Sequence, residues 1–435
     1  FVKRRVLVLG AGFGGLELSC LLSDRLADEV EVVLIDQNDA FVFGFSKLDV
    51  LFGHRSREEV RLPYHLLARP SVLFRQEQVL SIDPTARVVV TDASTYDADF
   101  IVVALGADYD LAATPGFVEG GFEYYSLAGA ERLRDHLPSF TGGKILLAVL
   151  SIPFKCPPAP YEGALLLHDH LVQRGIRDRT QIHLISPQPA PIPVSPEASE
   201  AVERTMAARG IAYTKRHRVY GIDPAEKVAH LKDHDEPYDL FIGIPVHTVP
   251  DVVTRAGLTE NGWVKVDPLT LATEFTGVYA LGDCTETGIP KAGVFAESAA
   301  RAVADSVDER VELRREVDRL RLQLKEAREL DAAGLRYGAL LRYLQAAQRF
   351  APLRPAPPGP AAEALQELEA RLSSGDVDHS LGRIFLEAAQ AEPALAPAIA
   401  GDVLPRYFAA LEPARPRPPQ PAPRATVTLV RWPYT

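Results

Sequence analysis

Two stretches of this 435-residue chain carry residue types whose spacing could do chemistry. The first is Gly10-Ala-Gly12-Phe-Gly14-Gly15, followed at the end of the next apolar run by Asp36. Gly10 permits a tight turn, Gly12 lets the backbone approach a pyrophosphate, and Gly15 allows a helix to pack closely. The helix N-terminus would face the phosphates while Asp36 accepts from ribose hydroxyls. The second stretch is Ser151-Ile-Pro-Phe-Lys-Cys-Pro-Pro-Ala-Pro-Tyr-Glu-Gly163, a proline-stiffened turn around Cys156. With no glycine before Gly163, this turn cannot bring its backbone up to a pyrophosphate. It offers a thiol instead. Lys155 and the start of a helix near Tyr161 predict a thiolate at Cys156, able to form a persulfide or attack an electrophile. The plainer reading of Cys156 is a small buried hydrophobe. Glu162, in the first helical turn, could cap that helix or move protons.

These groups need rigid elements behind them, and the hydrophobic pattern supplies the elements. Arg5–Leu9 and Val30–Ile35 read as strands flanking a helix marked by Leu16, Leu18, Leu21, Leu22 and Leu26. Residues 79–92 read as strand, turn and strand, with Asp83-Pro84 in the turn. Two later strands leave through glycine: Tyr96–Ala107, with Gly106 at its exit, and Thr276–Cys284, ending in Gly282-Asp283. An alanine-rich helix follows Lys291. Strands are also predicted at 145–150, 181–185 and 240–244, and helices near 161–174 and 198–209. His247, among prolines, could meet a substrate or serve packing.

The early glycine fingerprint and the two glycine-exit strands resemble the FAD domain of the two-dinucleotide-fold flavoprotein reductases. That resemblance implies FAD, with Asp283 at its ribityl–phosphate region; a turn or helix-cap role is the alternative. It also implies that the helix after Lys291 aims its positive end at the flavin's pyrimidine edge, with Lys291 adding a full charge or remaining a solvated helix-start residue. Phe154–Glu162, Gly262-Trp-Val-Lys-Val-Asp267 and Pro290-Lys-Ala-Gly293 make the likeness narrower. Over residues 4–306 the chain resembles the sulfide:quinone oxidoreductase and flavocytochrome c sulfide dehydrogenase flavoprotein family. The resemblance implies an enzyme in which Cys156, beside the isoalloxazine ring, oxidises sulfide or another reduced sulfur donor and passes two electrons to FAD, then to a quinone or other acceptor. The turn around Cys156 takes the place where the second glycine fingerprint would hold NAD(P)H. An NADH:acceptor flavin reductase like the type II NADH dehydrogenases is the alternative enzyme, and a flavoprotein scaffold the non-enzymatic one. Family members pair the first cysteine with a second beyond the Pro-Lys-x-Gly helix, whereas this chain has only Cys20, Cys156 and Cys284.

The expected fold class is therefore α/β: two Rossmann-like, glutathione-reductase-type dinucleotide-binding domains and an unrelated, mainly α-helical tail. FAD-domain segments at 1–110 and 246–306 enclose a second domain at 111–245, followed by a charged helix at 307–350 and proline-rich linkers with short helices at 351–435. The net charge of −11 argues against a nucleic-acid surface. The acidity belongs to residues 1–307, since 308–435 hold 18 Lys+Arg against 17 Asp+Glu. Three cysteines make no disulfide scaffold, and no His/Cys cluster has metal-ligand spacing. With no 18-residue apolar run and a first strand under way by Val6, a cytoplasmic protein without a signal peptide is expected. Peripheral membrane contact and a homo-oligomer through the C-terminal helices stay open.

Overall fold

The computed structural model describes residues 3–333 together with Arg342 and Gln345. It divides into two units, Phe1–Val311 and Glu312–Thr435. The seam expected around Leu340, Leu341, Leu344 and Ala347, the linkers at 352–360 and 413–423, and the short helices at 361–372 and 380–390 lie outside the described residues.

The first unit is built on two parallel sheets. In one, the strand Arg4–Leu9 is central, with Val30–Asp36 and then Val72–Gln76 on one side and Phe100–Val103 and then Val278–Ala280 on the other. All four pairings are parallel. Successive strand residues point to opposite faces, so each strand feeds two cores. Val6, Val8, Val32, Leu34 and Val102 enter one, while Leu7, Leu9, Val33, Ile35 and Ile101 enter the other. The helix Phe13–Leu26 buries Leu18, Leu22 and Leu26 against the first of these. The strand order reverses between Arg4–Leu9 and Phe100–Val103. In a parallel sheet that reversal opens a crevice at the carboxyl ends of the strands, where Gly10 and Ala104 stand.

The second sheet repeats the plan with Gly143–Val149 inside, Thr180–Ser186 and Ile211–Lys215 to one side and Leu240–Ile244 to the other, all parallel. The Ile211–Lys215 strand has no counterpart in the sequence reading. It is short, and its Tyr213-Thr-Lys half is too polar to stand out as an apolar run. This sheet's reversal lies beside the end of Gly143–Val149, where the turn carrying Cys156 departs. The connections between the two sheets themselves pair, Asp108–Asp110 running antiparallel to Val246–Thr248 with Tyr109 opposite His247. The hairpin expected at 79–92 is present, its turn closed by Asp83 Oδ1 accepting from the amides of Thr85 and Ala86.

One helix runs from Gly293 to Ala332, through the expected boundary at 306/307. Alanine favours helix through 296–304, and no glycine or proline intervenes before the charged stretch to stop it. Within the second unit, Leu320 and Ala327 are buried while Leu313 and Leu324 are exposed, so the heptad spacing of Leu313, Val317, Leu320, Leu324 and Ala327 does not make a continuous buried stripe. Among the described residues no helix is long and apolar enough to cross a membrane.

Candidate active site

A cleft of about 1220 Å³ opens at the carboxyl end of the first sheet. Ligand pockets for single small molecules run to roughly 1,000 Å³, so this one has room for a larger group. Gly10, Gly12, Asp36, Gly106, Cys156, Asp283 and Lys291 all line it. Residues far apart in the chain thus line one cleft, and the reason is the crevice of the first sheet together with the turn from the second.

The glycines divide by task. Gly10 sits at φ +101°, and a Cβ there would lie 2.4 Å from the Ala104 carbonyl oxygen. A Cβ on Gly15 would lie 1.9 Å from the Gly10 oxygen, and one on Gly14 2.1 Å from Leu281 Cδ1. A Cβ on Gly12 would meet nothing within 4 Å. Gly10, Gly14 and Gly15 are needed by the protein's own packing, while Gly12 faces open cleft. The helix beginning at Phe13 has no side-chain cap and no acid in its first turn, so its leading amides remain free for an anion. Asp36 accepts from the Ala11 amide at 2.8 Å through Oδ2 and from the Asn38 amide at 2.8 Å through Oδ1. Oδ1 also accepts from Asn38 Nδ2 at 2.9 Å, so the lone-pair capacity left for a ribose hydroxyl is on Oδ2. Gly106 and Gly282 turn their strand exits at φ +69° and +77°. A dinucleotide fits this set: free amides for its phosphates, a glycine whose missing Cβ leaves it space, and an acid for its ribose.

Cys156 is a non-glycine residue at φ +49°, in the left-handed region that costs an L-residue roughly 1–2 kcal/mol. Its surroundings enforce that conformation. The Cys156 amide donates to the Lys291 carbonyl at 2.7 Å, and its own carbonyl accepts from the Ala159 amide at 2.9 Å and the Tyr125 hydroxyl at 3.3 Å. The first of these bonds ties the thiol-bearing turn to the loop that opens the long helix.

The charge state differs from the sequence expectation. Burial, with the Glu162 carboxylate second, pushes the Cys156 thiol up to about 11, against smaller opposing effects of the Ala159 amide and Lys47. Lys155 does not supply the expected countercharge, because its Nζ turns to the Ala107 carbonyl at 2.6 Å and over the Tyr109 ring at 4.2 Å. Burial lowers the Lys155 ammonium to about 8. Glu162 does not cap the helix: its Oε2 is buried without a hydrogen-bond partner among the described residues, and burial raises its pKa.

Lys291 is buried, donating to the carbonyls of Asp283 at 2.7 Å and Thr285 at 3.1 Å, with the Trp263 ring 3.5 Å away. It is not a solvated surface lysine. Asp283 is raised by burial and lowered by Lys155, Lys291 and Lys47. His247 lies outside the cleft lining, wedged edge-on against Tyr109 and Tyr125, and burial drives it down to about 3, so it is neutral. Cys284 is buried, its Sγ donating to the Leu281 carbonyl at 3.3 Å, and Cys20 lies on the Phe13–Leu26 helix. Neither lines the cleft. Sequence reasoning missed Lys47, Tyr109, Tyr124 and Tyr125, which also line it. No motif marks them; Tyr124-Tyr125 before a helix was the one available signal.

Two parallel sheets with a crevice each, one lined by a glycine fingerprint and the other closed by a cysteine turn, define a two-dinucleotide-fold oxidoreductase. The chain belongs to the pyridine nucleotide-disulphide oxidoreductase family, whose pattern matches residues 4–149 and 162–303; the stretch between the two matches contains Cys156. It is an FAD-dependent oxidoreductase. Demethylphylloquinone reductase NdbB of Synechocystis is 27% identical over 302 residues, covering 65% of this chain and 72% of the relative. Sulfide-quinone reductase of Aquifex aeolicus is 26% identical over 331 residues, covering 70% and 76%. The solved structure of the Aquifex aeolicus sulfide:quinone oxidoreductase superposes with a TM-score of 0.65 at 24% identity, covering 71% of this chain and 77% of that one. The type II NADH:quinone oxidoreductase of Staphylococcus saprophyticus is 32% identical over 137 residues, 31% of this chain and 34% of the relative.

Proposed function

We propose that the protein takes two electrons from a reduced sulfur donor at Cys156 and delivers them, by way of FAD, to a quinone or another acceptor. The observation that carries this reading is a thiol held in a left-handed backbone conformation on the wall of the cofactor cleft, where a glycine loop would serve a nicotinamide cofactor. Backbone strain persists where the surrounding structure enforces it, and such sites are enriched for function. In this reading the Gly10–Gly15 turn and the amides after it hold the pyrophosphate, Asp36 the ribose, and Gly106 and Asp283 the middle of the cofactor, with Gly282, which lines the second cavity, turning the strand exit that carries Asp283. Bound FAD supplies the two-electron acceptor.

The chain's own residues present the sulfur and manage its proton. Cys156 stays a neutral thiol at physiological pH. The Glu162 carboxyl is close enough to influence that thiol, and its unpartnered oxygen suits it to receive the thiol's proton. A quinone-type acceptor is supported by a second cavity of about 370 Å³, lined by Leu271, Ile289, Pro290 and Phe295 and sharing Asp283 and Lys291 with the first. The Staphylococcus match favours a second reading, NADH as donor, but Pro153, Pro157 and Pro158 occupy the turn that would have to admit a pyrophosphate.

Anaerobic absorbance of the yellow protein during additions of sulfide, and separately of NADH, tests both. Bleaching by sulfide that is lost in Cys156→Ser is the expected result. Bleaching by NADH alone would overturn the sulfur reading, and bleaching by neither would favour a scaffold.

A further inference from the structure

Three lysines, Lys47, Lys155 and Lys291, line the cleft, and none forms an ion pair among the described residues. Instead each donates to main-chain carbonyls. Lys291 is close to saturated, with two carbonyl acceptors and the Trp263 ring. Lys155 has one carbonyl and the Tyr109 ring. Lys47 has a single acceptor, the Tyr125 carbonyl at 2.7 Å. An ammonium carries three N–H donors, so two on Lys47 have no protein acceptor among the described residues. The Tyr125 hydroxyl in turn donates to the Cys156 carbonyl, so one residue fixes both the lysine and the thiol turn. Lys47 and Cys156 therefore line the same cleft, joined through Tyr125, and each influences the other's ionisation. The acids acting on Lys47 are Glu123 and Asp283. Glu123 is committed to the amides of Tyr125 and Ser126 at 2.5 and 2.8 Å, and Asp283 is shared among all three lysines.

A half-buried ammonium with spare donors and no carboxylate of its own is a ready partner for an anion entering the cleft. We propose that the wall beside Cys156 is an anion site, and that Lys47 is the residue that selects an anionic sulfur donor over a neutral one. The proposal rests on Cys156 as the place where the donor arrives. Lys47 would hold the anion by charge-assisted hydrogen bonds while its carbon chain lies along the cleft.

The test uses the FAD-bound protein and two non-reducing sulfur compounds of similar size, anionic thiocyanate and neutral thiourea, titrated by the change in flavin absorbance. Thiocyanate should bind the wild type, weaken about tenfold or more in Lys47→Met, the typical worth of a hydrogen bond to a charged group, and recover in Lys47→Arg. Thiourea affinity should stay the same in all three. Equal thiocyanate affinity in Lys47→Met would overturn the proposal, as would parallel weakening of both compounds, which marks a structural role. A change confined to the flavin's midpoint potential would also overturn it, because Lys47 would then serve the cofactor. No step requires turnover. Lys47-dependent thiocyanate binding without bleaching by sulfide supports the anion site and sinks the sulfur-donor reading; bleaching without Lys47 dependence does the reverse.

Discussion

Replacing Glu162 by glutamine removes the second largest of the three influences that hold the Cys156 thiol neutral. Burial is the largest and Asp283 the smallest, and together they carry the thiol from an ordinary 9.0 to about 11. The thiolate, not the thiol, is alkylated, and its fraction changes tenfold for each unit of pH below the pKa. At pH 8 an ordinary cysteine is about one-tenth thiolate, whereas Cys156 should be about one-thousandth, a roughly 100-fold difference in reactivity. The assay is iodoacetamide labelling from pH 7 to 11.5, read by mass spectrometry of the Cys156 peptide. Access to the cleft scales the plateau rate, while ionisation sets the midpoint, so the two separate cleanly. The wild-type rate should still be climbing at pH 10. Glu162→Gln should shift the curve to lower pH without reaching 9, because burial remains, raising the rate at pH 8 by about three- to tenfold. A wild-type midpoint at or below pH 8.5, or a Glu162→Gln curve that does not move, would refute the placement of that carboxyl against the thiol.

Gly12→Ala and Gly15→Ala should fail differently. The Gly15 Cβ would meet the Gly10 backbone oxygen at 1.9 Å, a contact no rotamer relieves, so melting should show a loss of about 1–3 kcal/mol. The Gly12 Cβ meets no protein atom within 4 Å, so Gly12→Ala should keep its melting temperature without cofactor yet retain less FAD on gel filtration. A third prediction concerns Glu236, which binds Lys144 and His183. Burial raises this carboxyl, but hydrogen bonds and charge from Lys144 and His183 outweigh it and leave the pKa below 4.5. Its contribution is present above 4.5 and fades as pH falls through the lowered folded value. Glu236→Gln should therefore be less stable than wild type at pH 7 and approach it as pH falls through that lowered value; a stability gap that widens toward acid would contradict this.

The parts of this protein legible in its sequence are those in which a local pattern has one physical solution. Gly10, Gly12 and Gly15 between two apolar runs, with Asp36 closing the second, specify a strand–turn–helix–strand unit, because only glycine tolerates the contacts at Gly10 and Gly15 while Gly12 leaves the backbone open to a phosphate. The run Lys144–Leu150 specifies a strand for the same kind of reason, and the prolines after it exclude a phosphate-binding loop. Cys156 stands out by its neighbours alone. Its charge state does not, because adjacency in sequence says nothing about direction: Lys155, one residue away, points to Ala107 and Tyr109, while Glu162 and Lys47 reach the thiol through space. Lys47, Tyr109 and Tyr125 carry no sequence signature, since their setting exists only once the crevice of one sheet faces the turn from the other. Local spacing determined which backbone could meet a phosphate, and long-range packing decided which charges surround the thiol, because burial and electrostatics depend on every element that packs there.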